Sequence, residues 1–170
     1  IMSAHHHRLG MLNIVCKDSL FEFSDFEINE YLDQKKISYT INTLKHFKKK
    51  TGANLLFILG TDAFLTINFW HQWNEILSYC HLILIERGNE LSNMEKMSPE
   101  VKEYFKHNVA NDIDDLKKNS HGKIFPIPMS IFPESSSEIR NRSMKNLDIK
   151  KFLPKAIEDY IKNNELYKLP

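Results

Sequence analysis

Three short clusters hold the residue types that can do chemistry. Gly60-Thr61-Asp62 follows directly on the apolar run Leu55-Leu56-Phe57-Ile58-Leu59. Glycine lets a backbone approach a ligand closely. Asp62 can accept hydrogen bonds from sugar hydroxyls, or it can cap the helix that follows; both readings stand. Ser135-Ser136-Ser137-Glu138-Ile139-Arg140 offers hydroxyls and free backbone N–H groups at a helix start, a setting that suits an anion. Arg140, one turn on, has the forked donors that grip a phosphate. The same stretch reads as a capping box, with Ser135 as cap and Glu138 three residues later, and the two readings are compatible. Trp70-His71-Gln72-Trp73 is a polar-aromatic turn whose indole can stack on a flat ring, or whose tryptophans can simply anchor a core. Ser38-Tyr39-Thr40 precedes a helical pattern that Ser38 or Thr40 can cap.

The elements that must position these clusters follow from periodicity. Leu55–Leu59 and His81-Leu82-Ile83-Leu84-Ile85 lack polar alternation, which predicts strands buried on both faces of a parallel sheet. Thr40–Lys50 predicts an amphipathic helix with Ile41, Leu44 and Phe47 inward, a basic end at Lys48-Lys49-Lys50 and a stop at Gly52. A helix led by Ser3 as cap carries Leu9, Leu12, Val15 and Cys16 at helical spacing. That spacing makes His5-His6-His7 a natural helix start in preference to a tag remnant. Alternation in Leu20–Phe23 and Phe26–Ile28 predicts a half-buried strand broken at Ser24-Asp25. Short helices are predicted over Ala63–Phe69 and Trp73–Tyr79, and a further helix from Pro99. Asn89–Pro99 reads as a mobile loop and Asn111–Gly122 as a polar connection. A proline-limited strand spans Lys123–Pro128, and helices run from Ser135 and from Pro154 to Asn163. Strands alternating with helices make the fold class α/β with a mostly parallel sheet. In such sheets ligands bind beyond the carboxyl ends of the strands, so Gly60, Asp62, Trp70 and Arg140 are expected to share one pocket. There is no internal repeat or linker, which predicts a single domain over residues 1–170.

Composition narrows the classes. With 170 residues, 42% hydrophobic and 26% charged, the chain is globular, not disordered. Lys+Arg 23 against Asp+Glu 22 leaves a net charge of +1, without the basic excess of a nucleic-acid binder. No apolar stretch is long enough to cross a membrane as a helix. Two cysteines, Cys16 and Cys80, do not make a disulfide scaffold, and a reducing, cytoplasmic setting is expected. There is no Cys/His metal spacing, Walker loop or Gly-x-Gly-x-x-Gly.

In order and spacing the clusters resemble bacterial nicotinate-nucleotide adenylyltransferase. The matching stretches are Ser3-Ala4 with Arg8–Leu12, Ser38–Thr43, Phe57–Ala63, Trp70–Trp73, His81–Ile83, Arg87-Gly88, Ser135–Arg140, Leu153-Pro154, Tyr160-Ile161 and Leu166-Tyr167. Ser-Tyr-Thr followed by Trp-x-x-Trp separates this family from its sister adenylyltransferases. The resemblance implies a Rossmann-like nucleotidyltransferase fold. It implies transfer of AMP from ATP, with Mg²⁺, to nicotinate mononucleotide, giving deamido-NAD and pyrophosphate in NAD biosynthesis. By similarity, Ser38, Tyr39 and Thr40 line the mononucleotide site, Trp70 stacks on the nicotinate ring and His71 contributes backbone contacts to its carboxylate. Arg87 is a phosphate or pyridine-side contact. Gly60 and Asp62 hold the adenylyl side, and Ser136, Ser137 and Arg140 hold the ATP phosphates. Arg140 is the implied catalytic residue, acting on developing negative charge.

The departures are equally specific. The family opens with a strand ending in Gly-Gly-Thr-Phe-Asp-Pro and a His-x-Gly-His that grips phosphate, and neither occurs here. Roughly 45 residues, on the scale of a βαβ unit, are expected to be missing at the amino end. The 170-residue chain alone is accordingly expected to be inactive or poorly folded. Glu134 stands where the family carries an apolar residue, and no proline follows Arg87. The partners implied are ATP and nicotinate mononucleotide, with neither nucleic acid nor membrane; assembly as a homo-oligomer stays open. Two alternatives are kept: a nucleotide-binding remnant without catalysis, and an adenylyltransferase acting on phosphopantetheine, which Trp70 suits less well than it suits a flat pyridine.

Overall fold

The computed structural model describes residues 3–17, 19–34, 37–87, 96–129 and 135–168. The chain divides into two compact units, one formed by Ile1–Asp25 with Phe132–Pro170 and the other by Phe26–Ile131.

The second unit is built on a parallel sheet of β1 (Leu55–Gly60), β2 (Cys80–Arg87) and β3 (Ile124–Met129), in that spatial order. Helices α2 (Phe26–Gln34) and α3 (Thr40–Thr51) precede β1. The crossover to β2 is a four-residue helix α4 (Thr61–Phe64) and two 3₁₀ segments, Ile67–Phe69 and Trp73–Ser78. The crossover to β3 carries α5 (Pro99–Asn108) and α6 (Ile113–Lys118). The strongly apolar strands and the helix α3 thus form where periodicity predicts them. Gly52 ends α3 in the left-handed conformation (φ 64°), which only glycine adopts without steric cost. Pro126 and Pro128 are tolerated because β3 is an edge strand.

One face of the sheet is fully packed. Leu59, Cys80, Leu82 and Leu84 meet Ile41 and Leu44 of α3, Phe64 of α4, Ile67, Ile76, Leu77 and Val101 of α5. Burial pushes the Cys80 thiol up to about 12 from its ordinary 9.0. The other face is covered only in part, where Ile83 and Phe125 pack with Ala110 and Leu116 of α6. Leu56 and Ile58 are in register with His81 and Ile83, yet stay 57% and 63% exposed. The expectation that β1 is buried on both faces is therefore corrected. Buried His81 fixes the entry to β3: its Nδ1 accepts from the Lys123 N–H at 3.2 Å, and its Nε2 lies 3.0 Å from the Asn119 carbonyl.

The first unit packs α1 (His5–Cys16) with α7 (Ser136–Met144) and α8 (Lys155–Asn163). Its core is Ile149, Ile157 and Ile161, with Met11, Ile14 and Ile139 against them. Met11 and Ile14 face inward, whereas Leu12 and Val15, expected there, lie on the surface. Ala4, not Ser3, is the N-cap of α1, and Ser3 instead takes a hydrogen bond from the Tyr167 hydroxyl at 3.2 Å. The strand expected over 20–28 does not form. Residues 20–25 are exposed and adopt no strand, and Phe26 already starts α2. Alternation marks strand tendency, but a strand exists only with a hydrogen-bonded partner.

The polar connection expected over 111–122 contains α6. Asp112 caps it, accepting from the N–H groups of Asp114 and Asp115. Acidic residues occupy its first turn and Lys117 and Lys118 its last, as the helix dipole favours. Residues 89–95 of the expected mobile loop lie outside the described residues.

Candidate active site

Beyond the last residue of β1 the chain turns directly into α4. Gly60 is its N-cap, Thr61 and Phe64 are buried, and Asp62 is exposed. A Cβ on Gly60 would meet Asp62 Oδ1, the tip of an exposed carboxylate that can rotate aside. The bare glycine thus leaves room for the Asp62 carboxylate to fold back over the strand end. An exposed carboxylate at a strand's carboxyl end, beside bare backbone, is suited to a polar ligand.

The Trp70–Trp73 turn comes next. Trp70 follows the 3₁₀ segment Ile67–Phe69 and meets Phe57 of β1 edge-on, with ring centroids 6.4 Å apart. It packs against the core with only part of its surface. Trp73 also packs there, 4.9 Å from the Tyr104 ring, so both tryptophans anchor on the core, each with part of its surface left open. Burial raises the Tyr104 hydroxyl above its ordinary range. The structure brings the Ser38-Tyr39-Thr40 stretch to this turn: the rings of Tyr39 and His71 are 4.3 Å apart at 32°. Tyr39 is 37% exposed, and His71 is exposed. Tyr39 is the N-cap of α3 without a side-chain capping bond, so neither Ser38 nor Thr40 plays the capping role allowed for them. Among the described residues, Ser38 Oγ and Asn68 Oδ1 are two of four side-chain atoms buried without a hydrogen-bond partner, the others being the Tyr104 hydroxyl and Glu158 Oε2. Buried polar atoms are ordinarily satisfied, and Ser38 and Asn68 flank the aromatic pair in sequence, one on each segment. Asn68 was not singled out by sequence reasoning, because nothing in its residue type or spacing marks it.

Parallel register carries β2 past Gly60, which pairs with Ile85, so that Arg87 closes the strand opposite Met129. The Arg87 side chain and Gly88 lie outside the described residues.

In the other unit, Ser135 caps α7 by accepting from the Glu138 N–H at 3.1 Å, as the capping-box reading predicts. Ser136 and Ser137 are exposed in the first turn, and Arg140 donates to Ser137 Oγ at 3.1 Å. This bond holds the guanidinium over the helix start, where free N–H groups and the positive end of the dipole already favour an anion. Glu134 lies outside the described residues.

Comparison with known proteins follows this geometry. A family model described as cytidylyltransferase-like matches residues 2–142. A probable nicotinate-nucleotide adenylyltransferase of Pectobacterium atrosepticum is 33% identical over 150 residues, covering 87% of this chain and 68% of the relative. One from Shewanella frigidimarina is 31% identical over 166 residues, 96% and 76% of the two chains, and one from Buchnera aphidicola 34% over 167 residues, 95% and 73%. A solved Plasmodium falciparum nicotinic acid mononucleotide adenylyltransferase, complexed with APC, superposes with a TM-score of 0.62 at 23% identity over 98% of this chain and 77% of its own. The likeness establishes the Rossmann-like nucleotidyltransferase fold. The extent of the family match and the identity to these relatives lead to one assignment: the chain belongs to the cytidylyltransferase-like family and, within it, to the nicotinate-nucleotide adenylyltransferases.

Proposed function

We propose that this protein transfers the adenylyl group of ATP to nicotinate mononucleotide, forming nicotinate adenine dinucleotide and pyrophosphate. Family membership supports the reaction class. The observation that carries the substrate is the meeting of Tyr39 and His71 beside a half-buried Trp70, an aromatic corner that fits a flat pyridine ring. In this reading Trp70 stacks on the ring and the backbone at His71 faces its carboxylate. Ser38, Tyr39 and Thr40 line the mononucleotide, with Ser38 Oγ as an unspent hydroxyl. Gly60 and Asp62 hold the adenylyl moiety, and Arg87 makes a phosphate or pyridine-side contact. Ser136, Ser137 and Arg140 take the ATP phosphates.

The chemistry is an in-line displacement. An oxygen of the mononucleotide phosphate forms a bond to the α-phosphorus of ATP. The bond from that phosphorus to the bridging oxygen breaks, and pyrophosphate leaves with the electron pair. No protein nucleophile is needed, so alignment and charge stabilisation supply the catalysis. Arg140 and the N–H groups at the α7 start stabilise charge on the phosphates. Magnesium enters with ATP as part of the substrate, bound to phosphate oxygens and water. Among the described residues no helix is long and apolar enough to cross a membrane.

The test, run on the natural full-length protein, is pyrophosphate release from ATP with nicotinate mononucleotide, nicotinamide mononucleotide or phosphopantetheine as acceptor. Turnover is expected with the first, and Trp70→Ala is expected to raise its KM by about 10–100-fold, the range of one lost stacking contact. ATP binding without turnover would instead favour a non-catalytic nucleotide-binding protein. Turnover with phosphopantetheine would favour the sister activity.

A further inference from the structure

The Trp70–Trp73 turn holds its shape at a cost. Gln72 sits at φ 51°, ψ 38°, in the left-handed region that non-glycine residues occupy only when their surroundings enforce it. Backbone bonds close the turn around it, Trp70 N–H to the Ile67 carbonyl at 2.9 Å, Trp73 N–H to the Trp70 carbonyl at 3.3 Å and Glu75 N–H to its own carbonyl at 3.0 Å, but none grips its side chain. What grips it is Lys45, one residue beyond Leu44 in the buried stripe of α3. Lys45 Nζ donates to Gln72 Oε1 and to Glu75 Oε2, each at 3.3 Å, and lies 5.4 Å from the centre of the Tyr79 ring. The same helix meets the turn at its other end, where its N-cap Tyr39 packs on His71. Two anchors from one helix thus hold His71 and Gln72, the residues that follow Trp70.

We propose that Lys45, through Gln72 and Glu75, is a positioning residue that sets the turn presenting Trp70 and His71 to nicotinate mononucleotide. This rests on the function proposed above. Lys45 touches no substrate in this reading and acts only by fixing the turn. The Lys45 and Glu75 side chains are 37% and 43% exposed, so the pair contributes little to global stability. Its loss is expected to appear in substrate binding and not in the unfolding midpoint.

The experiment uses the full chain. Lys45→Met keeps the aliphatic stem and removes the charge. It is expected to raise the KM for nicotinate mononucleotide by about 10-fold, since small misplacements of a binding group are costly, while the KM for ATP and the melting temperature hold. Lys45→Arg is expected to restore most of the affinity, and Glu75→Gln to reproduce part of the defect. A second readout needs no turnover. In a Trp73→Phe background, where Trp70 is the sole tryptophan, acrylamide quenching of its fluorescence is expected to rise on adding Lys45→Met or Glu75→Gln. Unchanged quenching in both variants, or equal rises in the two KM values, overturns the proposal. A parent protein that quenches as expected but turns over no nicotinate mononucleotide supports the clamp and rejects the substrate reading instead.

Discussion

The strand end at Gly60–Asp62 and the helix start at Ser135–Arg140 are both proposed nucleotide contacts, yet they are built in different ways. The first is held by burial: Thr61 and Phe64 are sunk in the main core, and Asp62 hangs from that anchor. The second is held by local bonds among exposed residues, Ser135 to Glu138 and Arg140 to Ser137, within one turn of α7. A ligand group placed by packing is disturbed by changes far from it. One placed by capping is disturbed only by its immediate neighbours.

Phe64→Ala tests the first half of that contrast most severely. The fully buried ring is expected to cost about 3–5 kcal/mol in urea unfolding and to lower activity with it. Normal ATP affinity in a destabilised Phe64→Ala protein would separate the strand end from the core beneath it. Arg140→Ala should behave in the opposite sense. We expect kcat to fall by about 10²–10³, the usual loss of one charge-stabilising donor, with an unfolding midpoint close to the parent's. A large stability loss there would show that the helix start is not local. Ser135→Ala is milder, with about 1 kcal/mol expected from the lost cap and a modest rise in the KM for ATP.

The smallest effect concerns pH. The buried Cys80 thiol titrates near 12, whereas an unfolded thiol ionises near 9. Above pH 9 the unfolded chain therefore releases its proton first, and stability falls as pH rises toward 12. Tyr104, also raised by burial, adds to the fall in the same direction. Urea midpoints from pH 8 to 10.5 should decline less steeply in Cys80→Ala than in the parent.

Much of this was legible in the residues. The apolar runs of β1 and β2, the stripe of α3 and its stop at Gly52 needed only local pattern, and so did the cap at Ser135. What escaped depends on partners. Residues 20–23 carry strand alternation but form no strand. Leu56 and Ile58 are as apolar as Leu59 yet face a side of the sheet that α6 reaches only at β2 and β3. Helix α6 was hidden by its polarity, although Asp112 and the charge order of its six residues are a readable signature. In the site, the clusters were visible one by one. The ring contact between Tyr39 and His71, and the reach of Lys45 across to Gln72, exist only once α3 is laid beside the crossover.

The crowding at Gly60 has a consequence for variation among homologous enzymes. Because a side chain at 60 would take the place that the exposed Asp62 carboxylate now holds, a lineage that exchanges the glycine re-aims the acid by rotating its side chain. The chemistry of the strand end can thus drift without any change at position 62 itself.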